Sequence, residues 1–322
     1  MCTAITLKTK DFYFGRNLDL EYHYNETVTV TPRNYVFRFR NGTVIDNHYA
    51  MIGMATVSNG YPFYYEATNE KGLSIAGLNF PDNAVYCPEN ETKENITPFE
   101  LIPYLLGQCS TVDEATDRIE RMNIWNIPFS KEYPLSPLHW IIADKNRCVT
   151  LEPIKDGLKI HENHIGVLTN NPPFDYHIHN LANYINLTVK QPENRFGTDL
   201  KPYSLGMGAI GLPGDLSSAS RFVRAVFTKV NSISGDSEEE SVGQLFHILG
   251  SVEQTKGLNC VRNKEYEFTL YSSCCNVDKG IYYYTTYNNR QISAIDMYKE
   301  NLNGEKIVAY RLENHQQIFE KN

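Results

Sequence analysis

Met1-Cys2-Thr3-Ala4-Ile5-Thr6-Leu7, followed by Phe14-Gly15-Arg16-Asn17-Leu18-Asp19-Leu20, decides how the rest of this chain is read. Two short apolar runs joined by Lys8-Thr9-Lys10-Asp11 predict a strand pair, with Cys2 opening a buried strand rather than a frayed tail. Methionine aminopeptidases remove Met1 when the second residue is small, as cysteine is. Cys2 would then carry both a thiol and a free α-amine, so that nucleophile and general base come from one residue. The two groups titrate near pH 8.5 and 8, which balances proton exchange between them. Arg16 and Asp19 follow where the second strand ends. A guanidinium near the sulfur favours thiolate, and a carboxylate near the amine would orient it and hold it protonated.

Composition excludes several classes. Hydrophobic residues make up 41% of the 322 residues and charged residues 21%, as in ordinary globular proteins. A net charge of −8 with no Lys/Arg run argues against a nucleic-acid partner. No basic and then apolar leader opens the sequence, and no uninterrupted apolar stretch approaches a membrane span, so neither secretion nor a membrane is expected. Seven scattered cysteines, an odd number without a CxxC pair, predict reduced thiols in a cytoplasm. His161/His164 and His177/His179 lack an HExxH frame or a third ligand, and Cys274-Cys275 on a strand point to opposite faces, so no metal is expected. There is no Gly-rich phosphate loop, and no cofactor is implied.

Alternating or apolar β-rich runs predict strands over 27–31, 35–39, 51–57, 62–65 and 73–79, then a polar surface loop over 81–96. Thr97, Pro98 and Glu100 form a helix start with a capping box, backed by Leu101, Ile102, Leu105 and Leu106. A second helix after Thr111 carries Val112, Ala115, Ile119 and Met122 at helical spacing. Strands are predicted at 138–144, 148–152, 157–161 and 167–170, a helix at 175–187, and irregular chain at 190–212. Ser217 or Ser218 caps a helix through Arg221 and Phe227, and Ser237 with Glu240 caps another that stops at Gly250. Strands at 266–272, 280–286, 291–296 and 305–311 close the chain. Blocks of strands alternating with helices predict an α+β fold, one domain over residues 1–322, with two antiparallel sheets and helices outside: a four-layer αββα sandwich.

Acyl transfer to Cys2 also needs donors for the carbonyl oxygen as it gains charge. Asn79 and Asn170 each end a predicted strand shortly before a proline, where a side-chain amide can donate without spoiling a ladder. Alone, each is an ordinary turn residue. Taken in order, Met1-Cys2-Thr3, Phe14 to Asp19, Leu73 to Pro81, Leu168 to Pro172, and Pro213-Gly214-Asp215 through Ser220-Arg221-Phe222 resemble the choloylglycine hydrolase family of N-terminal nucleophile hydrolases.

The resemblance spans essentially the whole chain and implies the same αββα fold. It carries Cys2, Arg16, Asp19, Asn79, Asn170 and Arg221 over as catalytic residues, with Asn171 the alternative to Asn170. Arg221 would steady the Asp19 side of the site and the developing negative charge; Arg224, one turn on, reads as a solvated helix residue. The implied reaction is hydrolysis of glycine- or taurine-conjugated bile acids, because Asn79 stands where penicillin V acylases of the family have tyrosine. Leu20, Phe63, Tyr65 and Phe129 are the expected apolar wall for a steroid, and the family implies a homotetramer. The rivals are a penicillin V or N-acyl homoserine lactone acylase on the same machinery, a class II glutamine amidotransferase, and a non-catalytic lipid binder. Amidotransferases continue Met-Cys with Gly-Ile, whereas this chain has Thr3-Ala4-Ile5, and no sequence remains for their synthetase domain.

Overall fold

The first two predicted strands form as read. β1 (Cys2–Lys8) and β2 (Phe12–Leu20) pair antiparallel, with Cys2 opposite Leu18 and Ala4 opposite Arg16. In this computed structural model, which describes all residues Met1–Asn322, every residue of the pair from Cys2 to Leu7 and from Phe12 to Asp19 is buried. The pair is the middle of a six-stranded antiparallel sheet. The other strands are β10 (Val167–Leu168), β11 (Phe268–Asn276), β12 (Ile281–Thr286) and β13 (Asn289–Asp296), in the order β10-β1-β2-β11-β12-β13.

A second, eight-stranded sheet holds β3 (Thr27–Thr31), β4 (Met51–Ser58), β5 (Tyr61–Asn69), β6 (Ser74–Asn79), β7 (Leu138–Ala143), β8 (Cys148–Ile154), β9 (Gly157–Glu162) and β14 (Val308–Arg311). Its order is β9-β8-β7-β6-β5-β4-β3-β14, antiparallel throughout. Helices α1 (Leu101–Gln108) and α2 (Val112–Ile119) cover its outer face, while α3 (Phe174–Leu181), α4 (Ser218–Asn231) and α5 (Glu238–Gly250) cover the six-stranded sheet. The result is the expected four-layer αββα sandwich.

The core divides as the layers require. One buried apolar cluster joins both inner sheet faces to α4 and α5; the other, built on Trp140, Leu105, Val112 and Ile119, lies between the eight-stranded sheet and α1 and α2. Gly15 is needed on β2 because a Cβ there would stand 2.2 Å from the Ser273 carbonyl oxygen and 2.8 Å from Leu245 Cδ2.

Local differences have local causes. The stretch 81–96 is not all loop: Glu94–Ile96 pairs in parallel with Met122–Ile124, so Met122 belongs to a strand rather than to α2. Only Phe37–Arg38 of the run 35–39 is strand, paired with Val44–Ile45. Thr97 and Glu100 do bond, with Thr97 Oγ1 donating to Glu100 Oε2 at 2.8 Å, but they close a turn before a helix that begins at Leu101. The capping box of Ser237 and Glu240 is formed as read. Cys260–Arg262 pairs with Glu265–Tyr266 in a hairpin that the sequence does not predict; all its side chains but the half-buried Tyr266 are exposed and carry no periodic signal.

Candidate active site

Alternation along β1 and β2 places Cys2 and Arg16 on the face between the sheets, and Thr3 and Asn17 on the helix face. Arg16 is fully buried. Its Nη1 donates to the carbonyls of Gly77 at 2.8 Å and Tyr65 at 3.1 Å. Tyr65 is free to accept because a β-bulge opposite Met54 and Ala55 leaves it without a ladder partner. Behind Arg16 stands Glu66, also buried, with Oε2 3.5 Å from Arg16 Nη1. The hydroxyls of Tyr282 at 2.5 Å, Tyr271 at 2.8 Å and Ser273 at 3.0 Å all donate to that carboxylate. Burial raises the Glu66 carboxyl, opposed by Arg16 and these hydroxyls. Burial works against the Arg16 charge too, but the Cys2 sulfur, Tyr271, Glu66 and Asp19 outweigh it and raise its pKa. Arg16 Nη2 alone has no partner in the chain.

Arg221 arrives from α4 on the helix side, fully buried. Its Nη1 donates to the Cys2 carbonyl at 2.5 Å and to Thr3 Oγ1 at 2.8 Å, its Nη2 to Asn170 Oδ1 at 2.7 Å, and its Nε to the Leu216 carbonyl at 3.0 Å. It makes no hydrogen bond to the Asp19 carboxylate, but the Asp19 and Cys2 charges support its own against burial, which lowers its pKa. Asp19 instead accepts from Thr269 Oγ1 at 2.6 Å and Gln254 Nε2 at 2.8 Å. Only its main-chain oxygen meets the α-amine of Met1, at 2.7 Å; the Glu267 carboxylate contacts the same amine. Burial lowers that amine below its ordinary 8.0, with Cys2 and Asp19 opposing.

Asn170 is brought in and Asn171 is its half-buried neighbour at the rim. The Cys2 N–H donates to Asn170 Oδ1 at 2.8 Å, and Asn170 Nδ2 donates to the Asn79 carbonyl at 2.7 Å. Its amide oxygen is therefore shared by the nucleophile's own nitrogen and Arg221, while its NH2 gives one hydrogen to Asn79 and keeps the second beside the cavity. Asn79, Asn170 and Asn171 line a cavity of about 190 Å³ with Met1, Leu20, Glu21, Pro81, Val261 and Glu267.

Of the expected steroid wall, Leu20 lines this cavity. Tyr65 is half-buried, its hydroxyl paired with Thr56 Oγ1 at 2.9 Å. Phe63 and Phe129 stack edge-on at 4.5 Å in an aromatic cluster with Phe99 and Tyr133, outside the cavity lining. Arg224 is half-buried rather than solvated: its Nε donates to the Ser251 carbonyl at 2.7 Å and its Nη1 to that of Pro213 at 2.9 Å, tying α4 to the loops beside it.

A profile of the family described as "Linear amide C-N hydrolases, choloylglycine hydrolase family" matches residues 2–310. The chain belongs to the choloylglycine hydrolase family. This family member is 54% identical over the full length of both chains to the bile salt hydrolase/transferase of Lactiplantibacillus plantarum. It is 40% identical to the bile salt hydrolase/transferase of Clostridium perfringens, with 97% of each chain covered. A solved C2A mutant of the conjugated bile acid hydrolase from Clostridium perfringens superposes with a TM-score of 0.93, at 38% identity over 100% of both chains.

Proposed function

We propose that this choloylglycine hydrolase is a bile salt hydrolase acting, once Met1 is removed, as one domain with Cys2 at its N-terminus. The observation that carries the reading is Cys2 buried on the face it shares with Arg16, its carbonyl gripped by Arg221 and its nitrogen held by Asn170. The Cys2 thiol passes its proton to the α-amine, and the thiolate attacks the amide carbonyl of a glycine- or taurine-conjugated bile acid. Arg16 Nη2 stabilises the thiolate, and the amide of Asn79 donates to the oxyanion. Collapse breaks the C–N bond as the amine returns the proton to the leaving nitrogen, leaving a thioester. The amine then takes a proton from water, whose oxygen attacks the thioester and releases bile acid and Cys2 thiol.

The cavity of about 190 Å³ is smaller than the roughly 300 Å³ of the smallest drug-sized sites. It suits the amide end, with the steroid running out past Leu20 and towards Tyr65, Phe63 and Phe129. Ile185, Phe196, Tyr203 and Leu205 are each more than 80% exposed, which supports burial of this arm between copies in a homotetramer. Seven unpaired cysteines support a cytoplasmic home. No helix is long and apolar enough to cross a membrane.

A panel of glycocholate, taurocholate, penicillin V and an N-acyl homoserine lactone tests the substrate. Release of glycine or taurine at rates well above cleavage of the other two supports the reading; preference for penicillin V or the lactone contradicts it.

A further inference from the structure

Thr169 and Asn170 lie just past β10, where the chain leaves the sheet. Two buried imidazoles take up their carbonyls. His139 Nε2, from β7, donates to the Thr169 oxygen at 3.0 Å, and His177 Nε2, from α3, donates to the Asn170 oxygen at 2.8 Å. Neither ring has any exposed surface. His139 Nδ1 faces Glu152 Oε1 on β8 at 3.0 Å. Both ring nitrogens of His139 therefore face oxygen atoms, one a main-chain carbonyl and the other the Glu152 carboxylate. Burial raises the Glu152 carboxyl, but the bonds from His139 and the Phe174 N–H, with the His161 ring 3.5 Å away, outweigh it and hold it at about 2. His177 is different: burial lowers its pKa and its Nδ1 has no partner, so a neutral ring donates through Nε2 alone.

A buried carboxylate–imidazole pair is weak as a stabilising device, since a well-packed apolar pair does as well or better. The stacking of the rings suggests another role. His139 lies flat on Phe80, with centroids 4.2 Å apart and planes 6° from parallel; Phe80 follows Asn79. His177 lies on Phe222 at 4.8 Å and 25°; Phe222 follows Arg221. Each histidine thus ties the Asn170 segment, by a hydrogen bond, to the chain neighbour of another site residue.

We propose that His139 and His177 are positioning residues that hold Asn79, Asn170 and Arg221 in register around Cys2. The inference rests on the amide-hydrolase reading of that site. Neither histidine touches the reacting atoms. A loosened register misplaces donors by a fraction of an ångström, which lowers turnover more than binding.

The test compares His139→Phe and His177→Phe with His139→Gln and His177→Gln. Phenylalanine keeps a stacking ring and loses the donor; glutamine places an N–H near the position of Nε2. Active sites are counted by iodoacetamide labelling of Cys2, and kcat and KM are measured with glycocholate. The expected result is a fall in kcat per active site of about tenfold or more in each Phe variant, with KM within about twofold and most of the loss recovered by Gln. Unchanged kcat per active site in the Phe variants, or equal loss in Phe and Gln, overturns the proposal. Should the Phe variants not fold, the Gln variants decide: near wild-type kcat supports the proposal and a loss above about tenfold overturns it. If the wild type releases no glycine or taurine, the bile-salt reading fails. The labelling rate of Cys2 then judges the histidines, by the same ordering of Phe below Gln.

Discussion

Glu152→Gln removes the carboxylate charge that His139 Nδ1 faces while keeping a carbonyl for the Phe174 N–H. In the folded chain the Glu152 carboxyl is held at about 2, against an ordinary 4.5. At 1.36 kcal/mol per pH unit, that difference of about 2.5 is worth about 3 kcal/mol of stability. The sign follows from the direction. The folded-state value is depressed, so the stabilisation is fully present above 4.5 and is lost as pH falls from there through about 2. Urea unfolding of wild type and Glu152→Gln, at fixed protein concentration and at pH 7, 4.5, 3.5 and 2.5, reads it directly. The variant should be about 3 kcal/mol less stable at pH 7, and the gap should close towards pH 2.5. Equal stability at pH 7, or an offset constant across the series, would refute the assignment of Glu152 as an ionised partner in the fold.

Arg16→Met should destabilise the fold by about 3–5 kcal/mol, because it leaves Glu66 as a buried unpaired charge; Glu66→Gln in the same chain should recover part of that loss in thermal melts. Gly15→Ala pushes a methyl against the Ser273 carbonyl oxygen and should lower stability by about 3 kcal/mol or more, measured by urea midpoint. Asn79→Ala should lower kcat about 10²-fold with little change in KM, the signature of a donor to the oxyanion rather than to the ground state. If the proposed homotetramer forms through this segment, Phe196→Asp with Leu205→Asp should lower the mass in solution below that of the wild type by light scattering, with the melting curve of the sandwich little changed.

Much of the site was legible because β1 and β2 are simple. An alternating pair with a fixed turn puts Cys2 and Arg16 on one face without any knowledge of the rest of the chain. Asn79 and Arg221 were legible through the order of the motifs, since only the closed sandwich brings positions so far apart in sequence to Cys2. What was not legible depends on long-range contacts. The bulge that frees the Tyr65 carbonyl for Arg16 is a matter of register. The engagement of the Asn170 amide by Cys2, Arg221 and Asn79 is set by four segments meeting, so its role as an acceptor for the nucleophile's nitrogen could not be read from a strand end. Arg224 looked solvated because its partners are carbonyls of distant loops. His139 and Glu152 sit on neighbouring strands 13 residues apart, a spacing without any motif, and pair only because β7 and β8 do.

The central claim is that Cys2, as the first residue, is both nucleophile and base. Intact-protein mass of the purified chain, with glycine or taurine release from glycocholate and taurocholate by wild type and Cys2→Ala, tests it most directly. The account predicts a mass lacking Met1, release by the wild type, and none by the variant. A chain that keeps Met1 and still turns over, or a Cys2→Ala variant that does, would contradict it.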